Sequence, residues 1–334
     1  MIAKIKNNLL KDFQNLSFNL SNWNDVLDSS PEVSVFHLKS SVEYYSRYFN
    51  GEDISFVILE SNKPLCIFPI FAYQNQDEWI ITSNELGLIA PLFVEDISKK
   101  LKKRLESQIE EIVDIISHKL NIKKITVFEH SNHLSNWYLN WLRRAASDFI
   151  TYQIAVDLQN TIENIRLGFR KSYKPLVNKA LKEWNVEICN NNIEEVFEEF
   201  KALHLEVAGR QTRNEQTWNI QKEQIKNNEA FLVTVRDGFN LIGGGLFIYS
   251  RDLGLYSVGA YKRELFEKPI GHAVQMIAIK KLKEIGCKQY LLGSKATNLS
   301  VQTSSSKELS ISYFKEGFAS YLYAQPHLEV IMNE

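Results

Sequence analysis

The stretch from Ala230 to Leu292 constrains this chain more than any other, because extended runs, turns and one capped helix follow in a fixed order. Phe231–Val235 is apolar and β-branched, Asp237-Gly238 is a turn signal, and Leu241–Tyr249 is a second extended run around Gly243, Gly244 and Gly245. Leu255–Ala260 is a third run. Pro269 then fits the first turn of a helix, where a missing N–H costs little. Val274, Ile277, Ala278, Leu282 and Ile285 recur at helical spacing, and Gly286 stops the helix before Tyr290–Leu292 returns as a strand. The free N–H groups and positive dipole end at such a helix start suit a phosphate or another anion.

Five segments carry a family resemblance. Lys268-x-x-Gly271-x-Ala273 at the helix start resembles the acyl-CoA-binding core of the GNAT acyltransferase superfamily, with Lys where that family usually has Arg or Gln. Ile165–Lys182 holds Arg166, Arg170, Lys171, Lys174, Lys179 and Lys182 with no acid among them. His204–Trp218 carries Gly209-Arg210-Gln211-Thr212-Arg213, and Val258–Tyr261 reads Val-Gly-Ala-Tyr after a strand. Ser312–Phe318 contains Phe314-Lys315-Glu316-Gly317-Phe318. Together these segments resemble the FemAB-like branch of the superfamily, whose C-terminal domains end in a Phe-Lys-x-x-Phe element. The likeness is good from Asp157 onward and thinner before it, where Pro64–Tyr73 and Gly87–Phe93 are similar to the family's first domain. It implies an α/β (α+β) chain of two tandem GNAT-like domains, each a mixed, largely antiparallel sheet flanked by helices. It also implies transfer of acyl or aminoacyl groups to amines.

Length and composition agree with two folded domains. At 334 residues the chain exceeds the size at which single cores stop growing, and 44% hydrophobic with 12% aromatic residues is a globular composition. A net charge of −1 gives no global field towards nucleic acid or an acidic membrane. Cys66, Cys189 and Cys287 each sit inside an apolar run and read as buried thiols in a reducing compartment. Met1–Leu20 alternates apolar and polar residues, unlike a secretory signal, and Pro64–Tyr73 is too short to span a bilayer. A cytoplasmic location is expected, with contact at the inner membrane face left open.

Along the first half, Ile54–Glu60 and Leu65–Tyr73 read as strands paired across Ser61-Asn62-Lys63-Pro64, and Glu78–Thr82 as another. Lys99–Leu120 is an amphipathic helix with Leu101, Leu105, Ile109, Ile112, Val113 and Ile116 on one face, and Lys124–Glu129 is a buried strand. The order parallels that of the second half, with no matching sequence repeat. The division is expected at residues 1–155 and 156–334, with Tyr152–Leu158 a strand that knits the halves. A helix over Ile162–Ser172 is followed by Pro175 and a second helical piece to Trp184.

The chemistry expected is amide formation, in which backbone N–H groups beside the strand at Tyr256–Ala260 polarise the donor carbonyl and Gly259 allows close approach. The resemblance implies Lys315 at the acyl-transfer site; a lysine snorkelling from a strand edge is the plainer reading. Gly259, Tyr261 and Lys315 form the expected catalytic set. Lys268, Gly271, His272 and Ala273 are the expected donor-binding set, and Arg210, Arg213, Arg170, Lys171 and Tyr173 the acceptor-binding set. Glu129-His130-x-x-His133 lacks the His-Glu-x-x-His order of zinc proteases, so no metal is expected. No tightly bound cofactor is expected either: acyl-CoA, or aminoacyl-tRNA as in the family's peptidoglycan-bridge members, is the donor substrate. The acceptor is an amine of a sugar-nucleotide or cell-envelope precursor, held between the domains. A catalytically silent GNAT-fold binding scaffold is the rival, and homo-oligomerisation is left open.

Overall fold

The computed structural model describes residues 1–130, 133–189, 192–297 and 304–332. The chain forms two compact units, one of Met1–Ile150 joined by the segment from Gln325 on, the other of Thr151–Ala324. The boundary falls at 150/151 where 155/156 was expected, and the last strand rejoins the first unit, pairing Leu328 with Val127.

The first unit opens with helices α1 (Ile2–Asp12), α2 (Trp23–Asp28) and α3 (Lys39–Tyr48), with β1 (Leu16–Ser17) between the first two. Strands β2 (Glu52–Asp53), β3 (Phe56–Glu60), β4 (Lys63–Phe68), β5 (Phe71–Asn75), β6 (Glu78–Thr82) and β7 (Leu92–Phe93) follow. They make two antiparallel sheets, β1-β3-β4-β7 and β2-β5-β6. The β3–β4 turn is two residues long because Ser61 and Asn62 both take positive φ, so Lys63 and Pro64 already belong to β4. Helix α4 (Lys99–Leu120) buries Leu105, Ile109, Ile112, Val113 and Ile116 along one stripe, as its periodicity predicts. Strand β8 (Lys124–Phe128), helix α5 (Asn136–Leu142) and strand β9 (Ala145–Asp157) lead out of the unit.

The second unit continues with α6 (Ile162–Gly168), α7 (Tyr173–Glu183), β10 (Asn185–Ile188), α8 (Ile193–Ala208) and α9 (Glu215–Lys226). Pro175 does not separate two helices: it sits in the first turn of α7, where its nitrogen has no intrahelical acceptor to lose. Strands β11 (Ala230–Asp237), β12 (Asn240–Tyr249) and β13 (Leu253–Tyr261) form an antiparallel meander. Helix α10 (Ile270–Ile285) then carries the chain to β14 (Gln289–Ser294), which lies parallel to β13 and antiparallel to β9. A helix is the usual way to join parallel neighbours. Helix α11 (Ser306–Glu316) and strand β15 (Tyr321–Ile331) complete the chain.

The core of this unit lies under α7 and α10, where Val177, Val274, Ala278, Leu282, Phe247 and Tyr290 are buried together. All three cysteines are buried thiols. Among the described residues no helix is long and apolar enough to cross a membrane. No group of three or more metal-ligating side chains occurs among them; residues 131–132, inside the Glu129–His133 segment, lie outside the description.

Candidate functional site

Strands β13 and β14 are in register only over Leu253–Leu255 and Gln289–Leu291. Beyond that point β13 stays with β12 as far as Tyr261, while β14 stays with β9 as far as Ser294. The two parallel strands therefore part, and backbone groups facing the gap lose their ladder partners on that side. Both strands are irregular where they part. Leu246 pairs with Val258 but Phe247 with Tyr256, which leaves Ser257 as a bulge, and β14 steps past Leu292 to Gly293 at φ +117°.

The bulge decides what lines the gap. Tyr256, Gly259 and Tyr261 all face α10, although a regular strand would put residues five apart on opposite faces. The Tyr256 and Tyr261 hydroxyls are 2.9 Å apart, and Tyr290 donates to Gln275 Oε1 at 2.6 Å nearby. Burial pushes the Tyr256 phenol up to about 12 and those of Tyr261 and Tyr290 well above the usual range, so all three stay neutral. A Cβ on Gly259 would come within 1.9 Å of the Tyr256 hydroxyl, so the glycine is what lets that ring lie along the strand.

Lys315 reaches this place from the last turn of α11, not from a strand edge. Its Nζ stands 5.4 Å from the Tyr256 ring centroid and would lie 2.9 Å from a Cβ on Gly293. The adjacent Glu316 is occupied by Lys295 and by the Ser312 hydroxyl at 3.2 Å. The apolar periodicity of α11 is weak; the Ser305-x-x-Glu308 capping box is the signal that marks its start.

At the start of α10, aromatic rings crowd Gly271. A Cβ on Gly271 would meet the Phe314 ring at 3.1 Å and the Tyr261 ring at 3.6 Å. His272 is enclosed by Tyr173, Phe314 and Phe318, with ring centroids at 4.4, 5.1 and 5.8 Å. Burial, then the Arg170 charge, lowers its pKa to about 4. Ala273 is fully buried in the core, and Lys268 Nζ stands 3.9 Å from Glu183.

Arg170 and Tyr173 are engaged with α11. The Arg170 guanidinium lies 3.7 Å over the Tyr313 ring and donates to the Tyr313 carbonyl at 2.8 Å and to the Tyr173 hydroxyl at 2.9 Å. Tyr173 in turn donates to the Phe314 carbonyl at 3.1 Å. Both residues thus fix the helix that presents Lys315. Lys171 is exposed.

On the other face of β13, Arg213 lies 4.8 Å over the Trp218 ring, and its Nη1 donates to Gln221 Oε1 at 3.3 Å. Gln221, fully buried, donates from its Nε2 to the bulged Ser257 hydroxyl at 3.1 Å. His204 packs against Trp218, and burial with the Arg213 charge lowers its pKa to about 4. Arg210 is exposed and outside this cluster. Tyr256, Ser257 and Gln221 carry no motif, and no spacing in the sequence points to them.

No protein-family model and no curated protein matches the sequence. Among solved structures, the chain superposes on FemX with a TM-score of 0.68 at 12% identity, over 95% of this chain and 97% of that one. The fold is the FemX fold. L-PGS from Bacillus licheniformis gives a TM-score of 0.61 at 12% identity, covering 94% of this chain and 92% of the other. A tandem GNAT protein from the clavulanic acid biosynthesis pathway gives 0.50 at 10% identity, covering 94% and 95%. The fold is therefore that of two GNAT-like domains in tandem, as the element order implies.

Proposed function

We propose that this protein is an acyltransferase that moves an activated acyl or aminoacyl group onto an amine, with its reaction centre where β13 and β14 part. The observation that carries this reading is the ammonium of Lys315 beside Gly293 and the Tyr256 ring, at the mouth of that gap. The acceptor amine attacks the donor carbonyl carbon, and the C–N bond forms as the carbonyl oxygen gains negative charge. A fixed cation and backbone N–H groups lower the cost of that charge. The tetrahedral species then expels the donor's sulfur or oxygen, which takes up the proton that the amine nitrogen sheds. The neutral phenol of Tyr261 has a proton to share with such a leaving group. End-to-end likeness to FemX supports the same class.

For the donor, Lys268-x-x-Gly271-x-Ala273 is the feature in favour of acyl-CoA. A second reading, an aminoacyl ester of tRNA, is favoured by the rings of Phe314 and Tyr261, which would stand 3.1 and 3.6 Å from a Cβ on Gly271 and leave little room beside that glycine. Exposed Lys171, Lys179 and Lys182 on and beside α7 agree with a polyanionic donor. We favour this second donor. The acceptor is an amine on a sugar-nucleotide or cell-envelope precursor, with Arg213 the anchor for its anionic part. The test is a transfer assay with aminoacyl-tRNA and with acyl-CoA against nucleotide-sugar acceptors. Amide product from neither donor overturns the proposal.

A further inference from the structure

We propose that Tyr256 is the positioning residue for Lys315, holding its ammonium over the ring face at the mouth of the gap; this rests on the function proposed above. A long lysine side chain loses much rotamer freedom when fixed, so a catalytic ammonium needs a seat. Three elements build one here. Strand β14 supplies Gly293, where a methyl group would press on Nζ at 2.9 Å. Strand β13 supplies the Tyr256 ring at 5.4 Å, within the range in which a ring quadrupole attracts a cation. Helix α11 supplies Lys315 itself, while the neighbouring carboxylate of Glu316 is held by Lys295.

The ring is in turn locked. Its hydroxyl bonds the Tyr261 hydroxyl at 2.9 Å and lies over Gly259, where a Cβ would stand 1.9 Å away. Phe247 stacks on it at 5.2 Å between centroids and an interplanar angle of 18°. The bulge at Ser257 thus has a consequence at α11: it turns Tyr256 onto the face from which Lys315 arrives. The ring face is the part that matters to the lysine, and the hydroxyl only anchors the ring.

Two substitutions separate the parts. Tyr256→Phe keeps the ring and Tyr256→Leu removes it. In protein labelled at lysine with carbon-13, the Lys315 ε-methylene signal, assigned by its loss in Lys315→Met, reports the ring current without any substrate. It should stay ring-shifted in Tyr256→Phe and move to the position of the other lysines in Tyr256→Leu. Turnover is followed with alanyl-tRNA and acetyl-CoA as donor probes and glycinamide as acceptor. Tyr256→Leu should lose on the order of tenfold to a hundredfold in kcat with little change in KM, as expected of a misplaced group. Tyr256→Phe should stay within about twofold, since the cation-binding face remains. An unshifted Lys315 signal in the wild-type protein, or a signal that keeps its shift in Tyr256→Leu, overturns the proposal. A wild-type protein that turns over neither donor probe counts against the function, and the ring-shift measurement still decides the role of Tyr256.

Discussion

The hydroxyl of Tyr256 lies where a side chain on Gly259 would begin, 1.9 Å from the Cβ position, although the two stand three positions apart along β13. Only the bulge at Ser257 brings both onto the face towards α10. A methyl group at 259 therefore displaces a buried ring that bonds Tyr261 and faces Lys315.

Gly259→Ala should accordingly destabilise the protein by about 1–3 kcal/mol, the usual cost of overpacking. In a Tyr256→Phe background the nearest contact becomes a ring carbon at 2.9 Å, so the penalty should shrink. Denaturant midpoints of the four proteins in this cycle measure the coupling. Additive effects would mean the two residues do not meet.

Five of the seven histidines are held neutral by burial: His37 at about 3, and His130, His204, His272 and His327 at about 4. The unfolded chain binds these protons near pH 6.5 and the fold does not, so stability should fall as pH drops from about 6.5 towards 4. Glu106 and Glu110, raised by burial, act in the opposite direction, but they are only two. Urea unfolding from pH 7 to pH 5 tests the slope, which should flatten in His37→Gln. A stability independent of pH in that window would contradict the assignment.

Arg213 and Arg210 should separate on the acceptor side. Arg213 is held flat on Trp218 and tied through Gln221 to Ser257, whereas Arg210 is exposed. Arg213→Ala should raise the acceptor KM about tenfold or more, and Arg210→Ala only a few-fold, as for a screened surface charge. Equal effects would move the acceptor anchor towards Arg210.

The cover over Gly271 predicts the donor. Alanyl-tRNA at saturating concentration should raise the melting temperature by about 5 °C or more, and coenzyme A should leave it nearly unchanged. The reverse result would return the donor to acyl-CoA and require Phe314 to move from Gly271.

Much of the fold was legible because long elements repeat strong patterns. The α4 stripe, the β11–β12–β13 meander and the Pro269-to-Gly286 limits of α10 all follow from periodicity and caps. The proposed site was legible only where a residue type is itself chemical, as with Lys315 and Arg213. Arg170 and Tyr173 read as acceptor contacts because they lie in a basic run, yet their partners are the Tyr313 and Phe314 carbonyls, more than a hundred residues away. Tyr256 was hidden by the bulge at Ser257, since pairing register is a property of two strands and leaves no mark on one. Gln221 was hidden for a related reason: one buried amide joins two distant residues.

Lys315 is proposed to stabilise the charge formed in acyl transfer at the β13–β14 gap. Lys315→Met keeps the length and apolar volume of the stem and removes the charge. Transfer of an aminoacyl group from aminoacyl-tRNA to an acceptor amine is measured for both proteins, beside their melting temperatures. In Lys315→Met kcat should fall by on the order of a hundredfold while the melting temperature is nearly unchanged. A Lys315→Met protein that turns over at the wild-type rate would contradict it.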